Sequence, residues 1–170
     1  MADITAKDVQ ALRAATGAGM MDCKRALQQT EGDFDAAVKF LREKGLADTA
    51  KRADRDNTEG AVAVATNGTR AGIVELRCET DFVAKSEDFL ALAQRLADAV
   101  AADGEGAVAA LASAVDDLKV ALKENIAVGR VASVAGPDGS TLDTYLHVQN
   151  ERGVNGVAVV LASGSQELAH

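Results

Sequence analysis

The amino-acid sequence predicts an α+β fold. It reads as a three-helix N-terminal bundle, then a core of small antiparallel sheets with flanking helices, the second half of that core being incomplete. Three observations predict it. Apolar residues recur at helical spacing through the first 45 residues, and the period changes to strand alternation near residue 60. Helical spacing returns after residue 86. Turn residues mark the changes, at Gly17-Ala18-Gly19, Gly32-Asp33, Asn67-Gly68 and Gly136-Pro137-Asp138-Gly139.

Thr5 followed by Asp8 has the form of a capping box, and the helix it opens carries Val9, Leu12 and Arg13 before Thr16. A second helix, over about residues 21–29, places Cys23, Ala26 and Leu27 on one side. Gly32-Asp33 ends it and caps a third, in which Phe34, Ala37, Val38 and Leu41 recur at helical spacing and Gly45 takes the C′ position. Helices this short are marginal alone and need one another. Residues 46–58 read as a polar, partly helical linker.

Strands are predicted over residues 60–66 and 71–78, joined by the hairpin signal Asn67-Gly68. A helix follows with Phe89, Leu92, Ala93, Leu96 and Val100 on its buried stripe, and a second stripe runs through Val108, Leu111, Val115, Leu118 and Leu122. A third strand covers residues 126–134, and residues 142–148 and 154–161 form another hairpin around Asn150-Glu151-Arg152-Gly153. Ser165-Gln166-Glu167-Leu168-Ala169 then repeats the pattern of Ser86-Glu87-Asp88-Phe89-Leu90-Ala91, so a second hairpin–helix unit begins as the chain reaches His170. On this plan the hairpin over residues 142–161 lacks its covering helices and should be labile or self-associating. The expected divisions are 1–55, a three-helix bundle with its linker; 56–136, a first core half; and 137–170, the start of a second.

Composition narrows the function. With 48% apolar and 26% charged residues the chain suits a soluble globular protein of one or two domains, its core built from Ala, Val and Leu. A net charge of −8 argues against direct nucleic-acid binding, which needs a basic face. The local cluster Lys44, Lys51, Arg52 and Arg55 reads either as a solvated linker or as a docking patch for an acidic partner. Cys23 and Cys78 lack metal-ligand spacing, and their scarcity, the acidic Met1-Ala2-Asp3 start and the want of a long apolar span suggest a reducing, cytoplasmic setting away from membranes. An enzyme is disfavoured: there are two histidines, no nucleophile elbow and no Cys/His motif. Gly17-Ala18-Gly19 also lacks the strand before it and the Gly-Lys-Ser/Thr after it that a phosphate loop requires. No cofactor or metal is expected.

The run Cys78-Glu79-Thr80-Asp81-Phe82-Val83-Ala84-Lys85 sets a large aromatic beside a carboxylate on the loop leaving a strand, in a chain with four Phe and one Tyr. Phe82 either packs under its own hairpin or serves as a wedge for a partner protein. Asp81 alone would be a turn carboxylate, Lys24 a solvated lysine and His147 a surface residue. Of the adjacent Met20 and Met21, at most one can face a core well.

Two long motifs resemble a known family. Thr16-Gly17-Ala18-Gly19-Met20-Met21-Asp22-Cys23-Lys24-Arg25-Ala26-Leu27 resembles the N-terminal signature of bacterial translation elongation factor Ts, and residues 78–85 resemble its second signature. Lys123-Glu124-Asn125-Ile126 and Tyr145-Leu146-His147 fit in order and separation. The resemblance implies a guanine-nucleotide exchange factor for elongation factor Tu, with a UBA-like three-helix domain and a core of two related halves. It also implies that Phe82 wedges into the partner's GTPase domain and disturbs its Mg²⁺ site. Asp81 would anchor that contact, with Thr80 and Val83 beside it. Met20, Met21 and Lys24 would dock on the same domain, and His147 would reach a more distant one. The chain departs from the pattern at Leu122-Lys123, where the family commonly has Ile-Gly, and at Gly129-Arg130, where it commonly has Arg-Arg. The competing readings are a UBA-type adaptor without exchange activity and an inactive fragment of the factor.

Overall fold

The computed structural model describes residues 4–164, so the predicted helix start at residues 165–169 lies outside the described residues. Those residues form two compact units, 4–54 with 119–124, and 55–118 with 125–164.

The first unit opens with α1 (Ala6–Thr16), whose Thr5 hydroxyl accepts the Asp8 N–H at 3.3 Å while the Asp8 carboxylate accepts the Thr5 N–H at 2.9 Å. This reciprocal cap is the one the sequence predicts. Gly17, at φ +65°, ends the helix in the left-handed region. Next come α2 (Met20–Gln29) and α3 (Phe34–Ala50), the latter capped by the Asp33 carboxylate on the Ala36 N–H at 3.0 Å. The three helices bury Val9, Leu12, Cys23, Ala26, Leu27, Ala37 and Leu41 against one another.

Two expectations fail in α3. Phe34 is exposed, and Phe40 packs on the core instead. Gly45 is not a cap, because α3 continues past it to Ala50. A Cβ on Gly45 would lie 2.5 Å from Val120 Cγ1, so close side-chain approach accounts for this glycine. Three residues of the basic cluster pair within the chain, Lys44 with Asp22 at 2.7 Å, Lys51 with Asp48 at 3.0 Å and Arg55 with Glu79 at 3.5 Å.

In the second unit β1 (Glu59–Thr66) and β2 (Arg70–Cys78) form the predicted hairpin, with Asn67 Oδ1 accepting the Arg70 N–H at 2.8 Å across the turn. The elements that follow are α4 (Asp81–Ala84), α5 (Glu87–Asp103), a 3-10 turn over Glu105–Leu111, α6 (Ala112–Leu122), β3 (Ala127–Ala135), β4 (Thr141–Gln149) and β5 (Arg152–Leu161). The expected second helical stripe is therefore divided: Val115 and Leu118 are buried on α6, while Val108 and Leu111 sit half-buried in the 3-10 turn. The last residues of α6 count with the first unit.

Strands β1, β2 and β3 make one antiparallel sheet in that order, and β4 pairs with β5 in another. On one face Ala61, Ala63, Val74 and Leu76 are buried with Phe89, Leu92, Leu96 and Val100 of α5, each large apolar side chain contributing roughly 1.5–3 kcal/mol. Gly72 lets the α5 backbone come close, since a Cβ there would lie 2.6 Å from Ala97 O and Ala101 N. The β4–β5 hairpin packs on the opposite face, where a Cβ on Gly156 would meet Val64, Ile73 and Val62. One face of the hairpin thus lies against the sheet, and no helix covers it among the described residues. Its turn is also tighter than predicted: Asn150 and Glu151, at φ +51° and +65°, make it alone, and Arg152 and Gly153 are already in β5.

The pairing of β2 with β3 slips between Val74 and Leu76, where Gly129 and Arg130 both stand opposite Glu75. Glu75 Oε2 accepts the Arg130 N–H at 2.9 Å and the Arg77 guanidinium at 3.1 Å. A Cβ on Gly129 would collide with that carboxylate at 2.6 Å. These two hydrogen bonds, the Arg77 one foremost, hold the Glu75 carboxyl down at about 2.

Candidate functional site

Phe82 does not sit in an open loop. Residues Asp81–Ala84 form a single helical turn, a correction that follows from Thr80: its hydroxyl accepts the Val83 N–H at 3.3 Å and its carbonyl accepts the Ala84 N–H at 3.1 Å. The turn is fastened below by Ala84, which is fully buried, and by the Cys78 thiol, which donates to the Thr80 carbonyl at 3.2 Å. It is fastened at its end by the Ser86 hydroxyl, which donates to the Val83 carbonyl at 2.8 Å before α5 begins.

On this fixed turn Phe82 is 82% exposed, so it does not pack under its own hairpin. Asp81 accepts the Lys85 ammonium at 2.7 Å, one helical turn on, and that hydrogen bond holds its carboxyl below the ordinary range, with Arg152 adding a smaller attraction. Val83 is half-buried beside it.

In the first unit Met20 and Met21 begin α2, and both are exposed, at 53% and 63%. Neither is a core residue. Lys24 is exposed one turn further on. Between them Asp22 bonds Lys44 and Arg25, the Lys44 hydrogen bond being the main reason its carboxyl lies below the ordinary value.

His147 is exposed on β4, and the Tyr145 hydroxyl lies in hydrogen-bond contact with its Nδ1 at 3.2 Å. Tyr145 is 57% exposed and stands opposite Val157, itself exposed. Sequence reasoning passed over Tyr145 as a surface feature. The signal was present: two residues from His147 on a strand is the same face. The structure thus gathers Thr80, Asp81, Phe82 and Val83 into one turn, sets His147 on a separate strand of the same unit, and carries Met20, Met21 and Lys24 in the other unit.

Cys23 and Cys78 are both buried thiols that are not joined in a disulfide. Among the described residues no group of three or more His, Cys, Asp or Glu could hold a metal ion, and no helix is long and apolar enough to cross a membrane.

The fold and these side chains define an α+β protein whose most distinctive surface features are exposed apolar residues carried on helices and strands. The family model described as elongation factor Ts matches residues 79–170. Relatives named elongation factor Ts include one from Kineococcus radiotolerans, 47% identical over 157 residues, covering 86% of this chain and 56% of the relative. One from Symbiobacterium thermophilum is 45% identical over 175 residues, covering 99% and 57%. One from Christiangramia forsetii is 57% identical over 100 residues, covering 58% and 36%. The chain belongs to the elongation factor Ts family. It spans little more than half the length of the first two of these relatives.

Proposed function

We propose that this chain promotes release of GDP from elongation factor Tu in translation elongation, in the cytoplasm, with Phe82 as the intruding side chain. The observation that carries the reading is an 82% exposed phenylalanine on a turn capped by Thr80 and anchored by Ala84. An exposed aromatic gains little for its own fold and is available to fill a pocket elsewhere. Asp81, with Thr80 and Val83, shapes the contact around it. The first unit serves as a UBA-like docking module through Met20, Met21 and Lys24, and His147 makes a separate contact.

Such exchange makes and breaks no covalent bond. Bound GDP is held by backbone amides around its phosphates and by Mg²⁺ bridging to them. A factor whose binding is incompatible with that arrangement weakens nucleotide binding by the same factor that nucleotide weakens its own. Burying one Phe side chain supplies roughly 1.5–3 kcal/mol, about one to two powers of ten. One wedge is therefore a substantial share of the coupling, and the docking contacts supply the rest.

The test is release of labelled GDP from elongation factor Tu. The chain should accelerate it, and Phe82→Ala should reduce the acceleration about tenfold or more while shifting unfolding stability by less than about 0.5 kcal/mol. No acceleration by the unsubstituted chain refutes the reading. The exposure of both Met20 and Met21 also supports a second reading, an adaptor that binds without exchange. That reading expects Met20→Ala with Met21→Ala to abolish binding while Phe82→Ala leaves it intact.

A further inference from the structure

Glu79 stands one residue before the cap of α4, and its side chain is only 20% exposed. One carboxylate oxygen accepts the backbone N–H of Asn125 at 2.6 Å, and the other faces the Arg55 guanidinium at 3.5 Å. The triangle closes where the Asn125 side-chain amide donates to the Arg55 carbonyl at 2.7 Å. Its corners come from three segments: Arg55 precedes β1, Glu79 follows β2, and Asn125 precedes β3. Separations of 46 and 70 residues make these long-range ties rather than local turn chemistry.

A carboxylate on a backbone N–H is among the stronger hydrogen bonds, and a largely buried one that loses a partner leaves the others uncompensated. The main chain of Glu79 runs directly into Thr80, whose hydroxyl and carbonyl hold Val83 and Ala84. Tying the Glu79 side chain to two other segments therefore fixes the direction in which Thr80 launches the turn, and with it where Phe82 stands. The Cys78 thiol, donating to the Thr80 carbonyl, adds a further tie at that residue.

We propose that Glu79 is a positioning residue for Phe82: through Asn125 and Arg55 it holds the root of the exposed turn in place, without itself touching a partner. Its consequence for exchange rests on the reading given above, but its effect on the turn does not. Amide hydrogen exchange on the whole chain tests the second. In Glu79→Ala the Val83 and Ala84 amides should exchange about tenfold faster or more, while those of Val74 and Leu76 in β2 stay unchanged. Glu79→Gln keeps an oxygen for the Asn125 N–H but loses the charge facing Arg55, so it should fall between, and Arg55→Ala should resemble it.

In the GDP-release assay with elongation factor Tu, Glu79→Ala should lower the maximal rate about tenfold and leave the half-saturating concentration within about twofold, because docking is untouched. Unchanged turn amides in Glu79→Ala overturn the proposal. So does a loosened turn with an undiminished maximal rate while Phe82→Ala still slows release. If Phe82→Ala has no effect on release, the exchange reading fails by itself and the turn amides alone decide the role of Glu79. Should Glu79→Ala not fold, Glu79→Gln and Arg55→Ala carry the same measurements.

Discussion

Replacing Glu75 by Gln removes a charge from the slip between β2 and β3. In the folded chain the Glu75 carboxylate takes the Arg130 N–H of the extra residue on β3 and the Arg77 guanidinium, and its carboxyl falls from an ordinary 4.5 to about 2. The difference corresponds to at most about 3 kcal/mol of stability at neutral pH. The side chain is 23% exposed, and solvent screening brings the expected loss to about 2 kcal/mol. The sign follows from a carboxyl depressed by folding: the contribution is complete above the unfolded value near 4.5 and disappears as pH falls towards about 2. Denaturant unfolding of Glu75→Gln and the unsubstituted chain should therefore differ by about 2 kcal/mol at pH 7 and converge between pH 4.5 and about 2. Equal stabilities at pH 7, or a gap that survives acidification, would refute the electrostatic account of the slip.

Two further substitutions test backbone and packing claims. Lys123 lies at φ +59° just after α6, donating its N–H to the Lys119 carbonyl at 3.0 Å, in the left-handed region that glycine adopts freely and lysine only at a steric cost. Lys123→Gly should raise stability by about 0.5–1 kcal/mol in denaturant unfolding, a net of relieved strain and lost chain stiffness. Gly45→Ala should destabilise by about 1–2 kcal/mol despite the better helix propensity of Ala, because its Cβ meets Val120. Combining it with Val120→Ala should restore at least the propensity gain, and a strictly additive double-mutant cycle would contradict the overlap.

What the sequence made legible was local. Thr5 with Asp8, Asp33, and Asn67-Gly68 each act on backbone groups within three residues, so the predicted capping box, helix start and hairpin appear where expected. What it concealed depends on distant partners. Gly45 reads as a helix end from its neighbours, and only Val120, far along the chain, explains why glycine stands inside α3. The β2–β3 slip is invisible in periodicity, because Gly129 makes sense only opposite the Glu75 carboxylate. Phe82 fell between these cases. Its oddness was readable from composition, whereas the Thr80 cap that turns its loop into a fixed helical turn uses the same short-range chemistry as Thr5 and was overlooked. The departure at Lys123 is legible in the sequence, and its positive φ gives that departure a physical cost.

The seam between α5 and the sheet is lined by Ala61, Ala63, Gly72, Ala93, Ala97 and Ala101 beside its larger side chains. Such a seam inverts the usual hazard of mutation. In a core of Leu and Phe the damaging change is truncation, which leaves a hole that neighbours fill in part. At these small positions there is little to truncate, and the damaging change is growth, since one added methyl at Gly72 would lie 2.6 Å from the helix backbone at Ala97 and Ala101. Tolerated substitutions at these positions are therefore expected only among the smallest residues, which keeps the helix that follows the exposed turn seated on the sheet.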